Sequence, residues 1–87
     1  MGESRPDRSQ RYPLQMKGVP FLLDEVDRRI TQLVIEGLAN KEISARLKMP
    51  EGTVKWRLHR LYERAGVQSR SQFVLRIREW VSGGDQL

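Results

Sequence analysis

Between Glu51 and Ala65 the chain reads E-G-T-V-K-W-R-L-H-R-L-Y-E-R-A, setting Lys55, Arg57, Arg60 and Arg64 around an indole, Trp56, and an imidazole, His59. Side chains of these types hydrogen-bond base edges, pair with phosphates and rest against bases, so their clustering points to nucleic-acid contact. Catalysis requires a nucleophile or base with an orienting partner, and a chain with one His, no Cys and no phosphate loop assembles no such constellation. The acids Asp24, Glu25 and Asp27 invite a metal or acid/base reading. They stand where the positive end of a helix would stabilise them, which accounts for them without one. No disulfide or Cys-containing zinc site is possible, and one His cannot build a His-rich metal cage. The expectation is no enzyme, no cofactor and no metal.

What positions the basic set is the apolar pattern beneath it. Val54, Leu58, Leu61, Tyr62 and Ala65 recur at i, i+4, i+7, i+8 and i+11, one stripe along a helix. At about 100° per residue, Trp56, Arg60 and Glu63 point away from that stripe, Thr53 and His59 lie beside them, and Lys55, Arg57 and Arg64 take the flanks. A helix held by its apolar edge and cationic on the other suits the recognition helix of a helix-turn-helix, lying in the major groove of DNA.

Other helices must supply the support. Leu23, Val26, Ile30, Leu33, Val34 and Leu38 give a first helix with Asp24 as N-cap and Gly37 as stop. N-K-E-I-S-A-R-L-K, Asn40 to Lys48, gives a short second helix with Asn40 as capping residue. Met49-Pro50-Glu51-Gly52 breaks it, and Pro50 suits the start of the next helix. Gly66 ends the third helix, with Val67 placed for the hydrophobic contact that accompanies a glycine stop. Ser69 to Gln72 form a capping-box pattern opening a fourth helix through Phe73, Val74, Ile77, Trp80 and Val81, ending at Ser82-Gly83-Gly84.

The expected organisation is a flexible segment over 1–20, a domain over 21–82 and a flexible tail over 83–87. Arg5, Arg8, Arg11 and Lys17 could touch phosphates, but composition favours a solvated tail, and the segment is assigned no function. A net charge of +5, from 16 Lys+Arg against 11 Asp+Glu, favours a polyanionic partner, nucleic acid or an anionic membrane surface. With no apolar run long enough to span a bilayer and no signal core, the chain reads as soluble, cytoplasmic and without a membrane partner.

Three blocks in order, G-L-A-N-K-E-I-S-x-x-L from Gly37, E-G-T-V-K-W-R-L from Glu51 and A-G-V-Q-S-R-S-Q from Ala65, closely resemble the LuxR-type DNA-binding domain, in register over about Leu23 to Trp80. Trp56, Tyr62 and Gln72 look most like its branch at the C-terminus of MalT-like regulators. The resemblance implies an all-α four-helix bundle, a helix-turn-helix made by the second and third helices, and a fourth helix that pairs two copies. Carried over by position, it puts Lys55, Trp56 and His59 at base edges, and Asn40, Lys41, Thr53, Val54 (through its backbone), Arg60 and Arg70 at phosphates, while Arg57, where the family has His, adds charge expected at the phosphate backbone. A domain this small can hardly bury Phe73, Leu75, Ile77, Trp80 and Val81 all against its own core, so Phe73, Ile77 and Trp80 are expected at a homodimer interface, with cover of the chain's own core an equal alternative. Double-stranded DNA and RNA polymerase are the implied partners, in transcription regulation. The sequence departs from the family pattern at Asp24 to Asp27, where Thr-x-Arg-Glu is usual, and at Thr31, Pro50, Arg57, Ala65 and Phe73.

Two rivals remain. E-G-T-V-K-x-R-L-x-R also resembles the recognition helix of a sigma factor's promoter-reading domain, and Gly66 to Gln72 with the fourth helix weigh against it. A helix-turn-helix that has lost DNA and pairs with a larger regulator through Phe73, Ile77 and Trp80 would have no need of Lys55, Arg57, Arg60 and Arg64.

Overall fold

A computed structural model of the chain describes Met16 and residues 18–85, with side chains up to Ser82. Four helices follow one another: α1 (Glu25–Ile35), α2 (Asn40–Leu47), α3 (Glu51–Ala65) and α4 (Arg70–Asp85). The fold is all-α, with no strand among the described residues. Arg5, Arg8, Arg11 and Lys17 lie outside the described residues.

The helix boundaries have local causes. Asp24 caps α1 with its carboxylate, which accepts the Asp27 N–H at 2.7 Å. At the other end Gly37 takes φ +98°, and the Leu38 N–H reaches back to the Leu33 carbonyl at 3.1 Å. The glycine stop after α3 is built alike: Gly66 has φ +73°, Val67 donates to the Tyr62 carbonyl at 3.0 Å, and its side chain is buried. In both turns a left-handed residue lets the chain satisfy the last carbonyls before leaving the helix. Lys48 does the same work after α2 without being glycine, at φ +58°.

Three starts and stops differ from the sequence reading. The cap of α2 is Ala39 rather than Asn40, and the Glu42 carboxylate accepts the Ala39 N–H at 2.7 Å. Asn40 is thereby one residue inside the helix, and its side-chain oxygen accepts from Arg70 instead. At α4, Ser69 accepts the Gln72 N–H at 3.2 Å as a cap should, whereas Gln72 reaches past Ser69 to the Gln68 N–H at 2.8 Å. The same helix continues through Gly83 and Gly84 to Asp85. Glycine costs a helix about 1 kcal/mol relative to Ala but removes no donor, so turns anchored upstream carry the helix across it.

The core joins all four helices. Ile30, Leu33 and Val34 of α1, Ile43 of α2, Val54, Leu58, Leu61 and Ala65 of α3, and Phe73, Ile77 and Val81 of α4 are buried, and the Phe73 ring leans on Tyr62 at 5.2 Å. The chain before α1 joins them as well. Met16 is buried, Val19, Phe21 and Leu23 pack against the core, and Phe21 meets Trp80 edge-on at 5.8 Å. The expected flexible segment is therefore tied to the core from Met16 onward, among the residues described. The chain from Asn40 to Ala65, α2, a three-residue connection and α3, is the helix-turn-helix.

Candidate nucleic-acid interface

The apolar stripe of α3 is sunk in the core, with Val54, Leu58, Leu61 and Ala65 each at most 3% exposed. Lys55, Trp56, His59 and Arg60 are consequently carried outward, and all four are exposed. Trp56 keeps 57% of its surface open, and the Arg60 guanidinium lies over its ring at 5.0 Å. His59 Nε2 is 3.3 Å from Glu63 Oε2 one turn on. An exposed indole carrying a guanidinium on its face, with an ammonium and an imidazole alongside, gives donors, an acceptor-capable nitrogen and a flat apolar surface on one edge.

The residues expected at phosphates fall into three groups. Arg60 and Lys41 are exposed and Thr53 is half-buried. Asn40 and Arg70 are joined to each other, Arg70 also donating to the Leu38 carbonyl at 3.0 Å, so that the start of α4 is pinned to the turn before α2. Val54 differs from expectation. Its backbone N–H already donates to the Pro50 carbonyl at 3.2 Å, and the Thr53 N–H shares that acceptor at 3.0 Å. Pro50 offers no side-chain cap to α3, so among the described residues the N–H groups left without a partner at this helix start are those of Glu51 and Gly52.

Arg57 also departs from expectation. Its guanidinium turns back toward α1, donating to Asp27 at 2.9 Å and Asp24 at 3.2 Å. The hydrogen bond to Asp27 raises its pKa above the ordinary arginine value, burial opposes this, and Asp24 adds to it. The Asp24 carboxyl is held below the usual carboxylate range, first by the Asp27 N–H and then, against some burial, by Arg57. The departures from the family pattern at Asp24 to Asp27 and at Arg57 therefore compensate one another: acids on α1 meet a cation on α3.

Sequence reasoning also missed Arg64 and Arg76 as links. Arg64 donates to the Leu22 carbonyl at 3.0 Å with its guanidinium 5.9 Å from the Phe21 ring. Arg76 donates to the Ala65 carbonyl at 3.1 Å, a cation at the negative end of α3. No periodicity within a helix signals such pairings. The partners are backbone carbonyls and residues far off in sequence.

The expected dimer residues require correction. Phe73 and Ile77 have no accessible surface in a single copy, and Trp80 is half-buried against Phe21, because α4 spends its apolar stripe on its own core. In this fold neither Phe73 nor Ile77 offers surface to a second copy. Among the described residues, the large apolar side chain that α4 leaves outward is Leu75, 62% exposed.

An all-α bundle in which two helices and a tight turn present a third-helix edge of exposed cations defines a helix-turn-helix protein. The family model described as bacterial regulatory proteins, luxR family (GerE), matches residues 25–77, more than half of the chain. The protein belongs to the LuxR family of bacterial regulatory proteins, and its domain is that of a DNA-binding transcription regulator. No curated protein and no solved structure matches the chain. Among the described residues no helix is long and apolar enough to cross a membrane.

Proposed function

We propose that the protein is a sequence-specific transcriptional regulator whose α3 enters the major groove, with Lys55, Trp56 and His59 at base edges and Arg60, Lys41 and Thr53 toward phosphates. The observation that carries this reading is the joint exposure of Lys55, Trp56, His59 and Arg60 on the edge of α3 opposite its buried stripe. Lys55 would donate to guanine O6/N7, Trp56 would rest against a thymine methyl, and His59 would hydrogen-bond either way. The N–H groups of Glu51 and Gly52, which have no partner among the described residues, would favour a phosphate at the start of α3. Such a protein would act in the cytoplasm, where a bacterial chromosome lies, and regulation of transcription would bring it to RNA polymerase. Pairing of two copies on DNA would use the outer face of α4 around Leu75 and the exposed Arg78 rather than the buried Phe73 and Ile77.

A salt titration of DNA binding tests the reading. Affinity is expected to fall linearly on a log–log plot, with a slope of about 0.9 per phosphate engaged. Lys55→Ala should reduce discrimination between duplexes, whereas Arg60→Ala should weaken all duplexes alike. Absence of retardation of every promoter-length duplex at low salt would refute it.

A further inference from the structure

The position of Arg57 on α3 gives its pairing with α1 a consequence beyond stability. Counting about 100° per residue, Arg57 and Arg64 lie within about 20° of one another along one edge of α3, and Lys55 lies about 160° round from Arg57. Both arginines on that edge are tied to one short segment: Arg57 to Asp24 and Asp27, and Arg64 to the Leu22 carbonyl. The apolar stripe sits between this edge and the edge that carries Lys55. Apolar contacts are non-directional and resist a roll of the helix about its own axis only through packing, whereas a guanidinium held by two carboxylates fixes direction as well as distance. A roll of about 20° at a helix's outer radius of about 5–6 Å moves a side chain by about 2 Å, enough to break a base-edge hydrogen bond.

We propose that Arg57, held by Asp27 and Asp24, is a positioning residue that sets the roll of α3 and thereby the sequence discrimination of its Lys55–Trp56–His59 edge. Arg57 itself makes no phosphate contact. The proposal rests on the DNA-reading function argued above. It also explains why Arg57 and the acids before it appear together in this chain: the cation on α3 has use for acids at positions 24 and 27, and they for it. Asp27 is the deeper of the two partners, its side chain 15% exposed against 59% for Asp24, so it is the one that direction depends on.

The test compares the wild-type protein with Arg57→Gln and Asp27→Ala, titrated across salt concentrations on a duplex selected for tight binding and on a random duplex, with helical content followed by circular dichroism. Both variants are expected to lose about tenfold on the selected duplex, the scale of one base contact, and to change by less than about twofold on the random one. The salt slope should stay that of the wild type. A slope reduced by about 0.9 in Arg57→Gln, or tighter binding by Asp27→Ala as its freed cation meets DNA, would make Arg57 a phosphate contact and overturn the proposal. Discrimination unchanged in both variants would overturn it too. If Asp27→Ala loses its helical content, Asp27→Asn, which keeps the volume and removes the charge, carries the same comparison. Wild-type protein that retards no duplex would bring down the DNA-reading function, and the role of Arg57 with it.

Discussion

Thr31 shows how a single residue can be both well placed and poorly satisfied. It is fully buried on α1, and its hydroxyl has no hydrogen-bond partner among the described residues. A buried hydroxyl without a partner costs of the order of 1–3 kcal/mol, and valine keeps its shape while removing it. Thr31→Val is expected to stabilise the fold by about 1 kcal/mol, raising the thermal midpoint by about 4–8 °C in a domain of this size; calorimetry would show it, and a lowered midpoint would mean that the hydroxyl has a partner after all. At this scale the sequence was legible where chemistry is local. Asp24 as cap, Gly37 and Gly66 as stops and the outward Lys55, Trp56, His59 and Arg60 all follow from neighbours within a turn or two. Arg57 was not legible in the same way. Its direction is set by acids thirty residues earlier, and a flank position on a helix leaves either neighbour open.

At the scale of elements, α3 appeared in the sequence with its ends in place because both carry strong punctuation, Pro50 before and Gly66 after. The glycine matters for its backbone alone. A Cβ added at Gly66 would meet nothing within 4 Å, yet the residue holds φ +73°. Gly66→Ala should therefore cost about 1 kcal/mol by strain rather than by clash, read as a lowered denaturant midpoint with an unchanged m-value. Residue type alone places the start of α2 one residue late, because Asn40 is a good cap and nothing nearby in sequence shows that Arg70 claims its side chain. The fourth helix outruns the end its glycines suggest for a related reason. Glycines lower helix propensity without forbidding the helix, so Gly83-Gly84 marks a weak point and not an end.

For the whole molecule, eighty-seven residues allow few places to bury bulk, and the bundle uses α4 to close the core over α1 and α3. The sequence could show that Phe73, Ile77 and Trp80 form one apolar face; which body that face covers depends on tertiary packing, and here it covers the chain itself. Leu75 is then the side chain through which pairing can be probed. Leu75→Glu should leave the fold intact and weaken any association seen by sedimentation at rising concentration in the presence of DNA. An unchanged profile would remove the outer face of α4 from the contact. The central claim, that the outward edge of α3 meets DNA, is tested most directly by nuclear magnetic resonance of labelled protein titrated with a selected duplex. The two tryptophans provide the contrast, Trp56 on the exposed edge and Trp80 against Phe21. The account predicts a large shift of the Trp56 indole N–H together with the amides of Lys55, His59 and Arg60, while the Trp80 indole holds still. Shifts gathered elsewhere on the bundle, with the Trp56 indole unmoved at saturation, would contradict it.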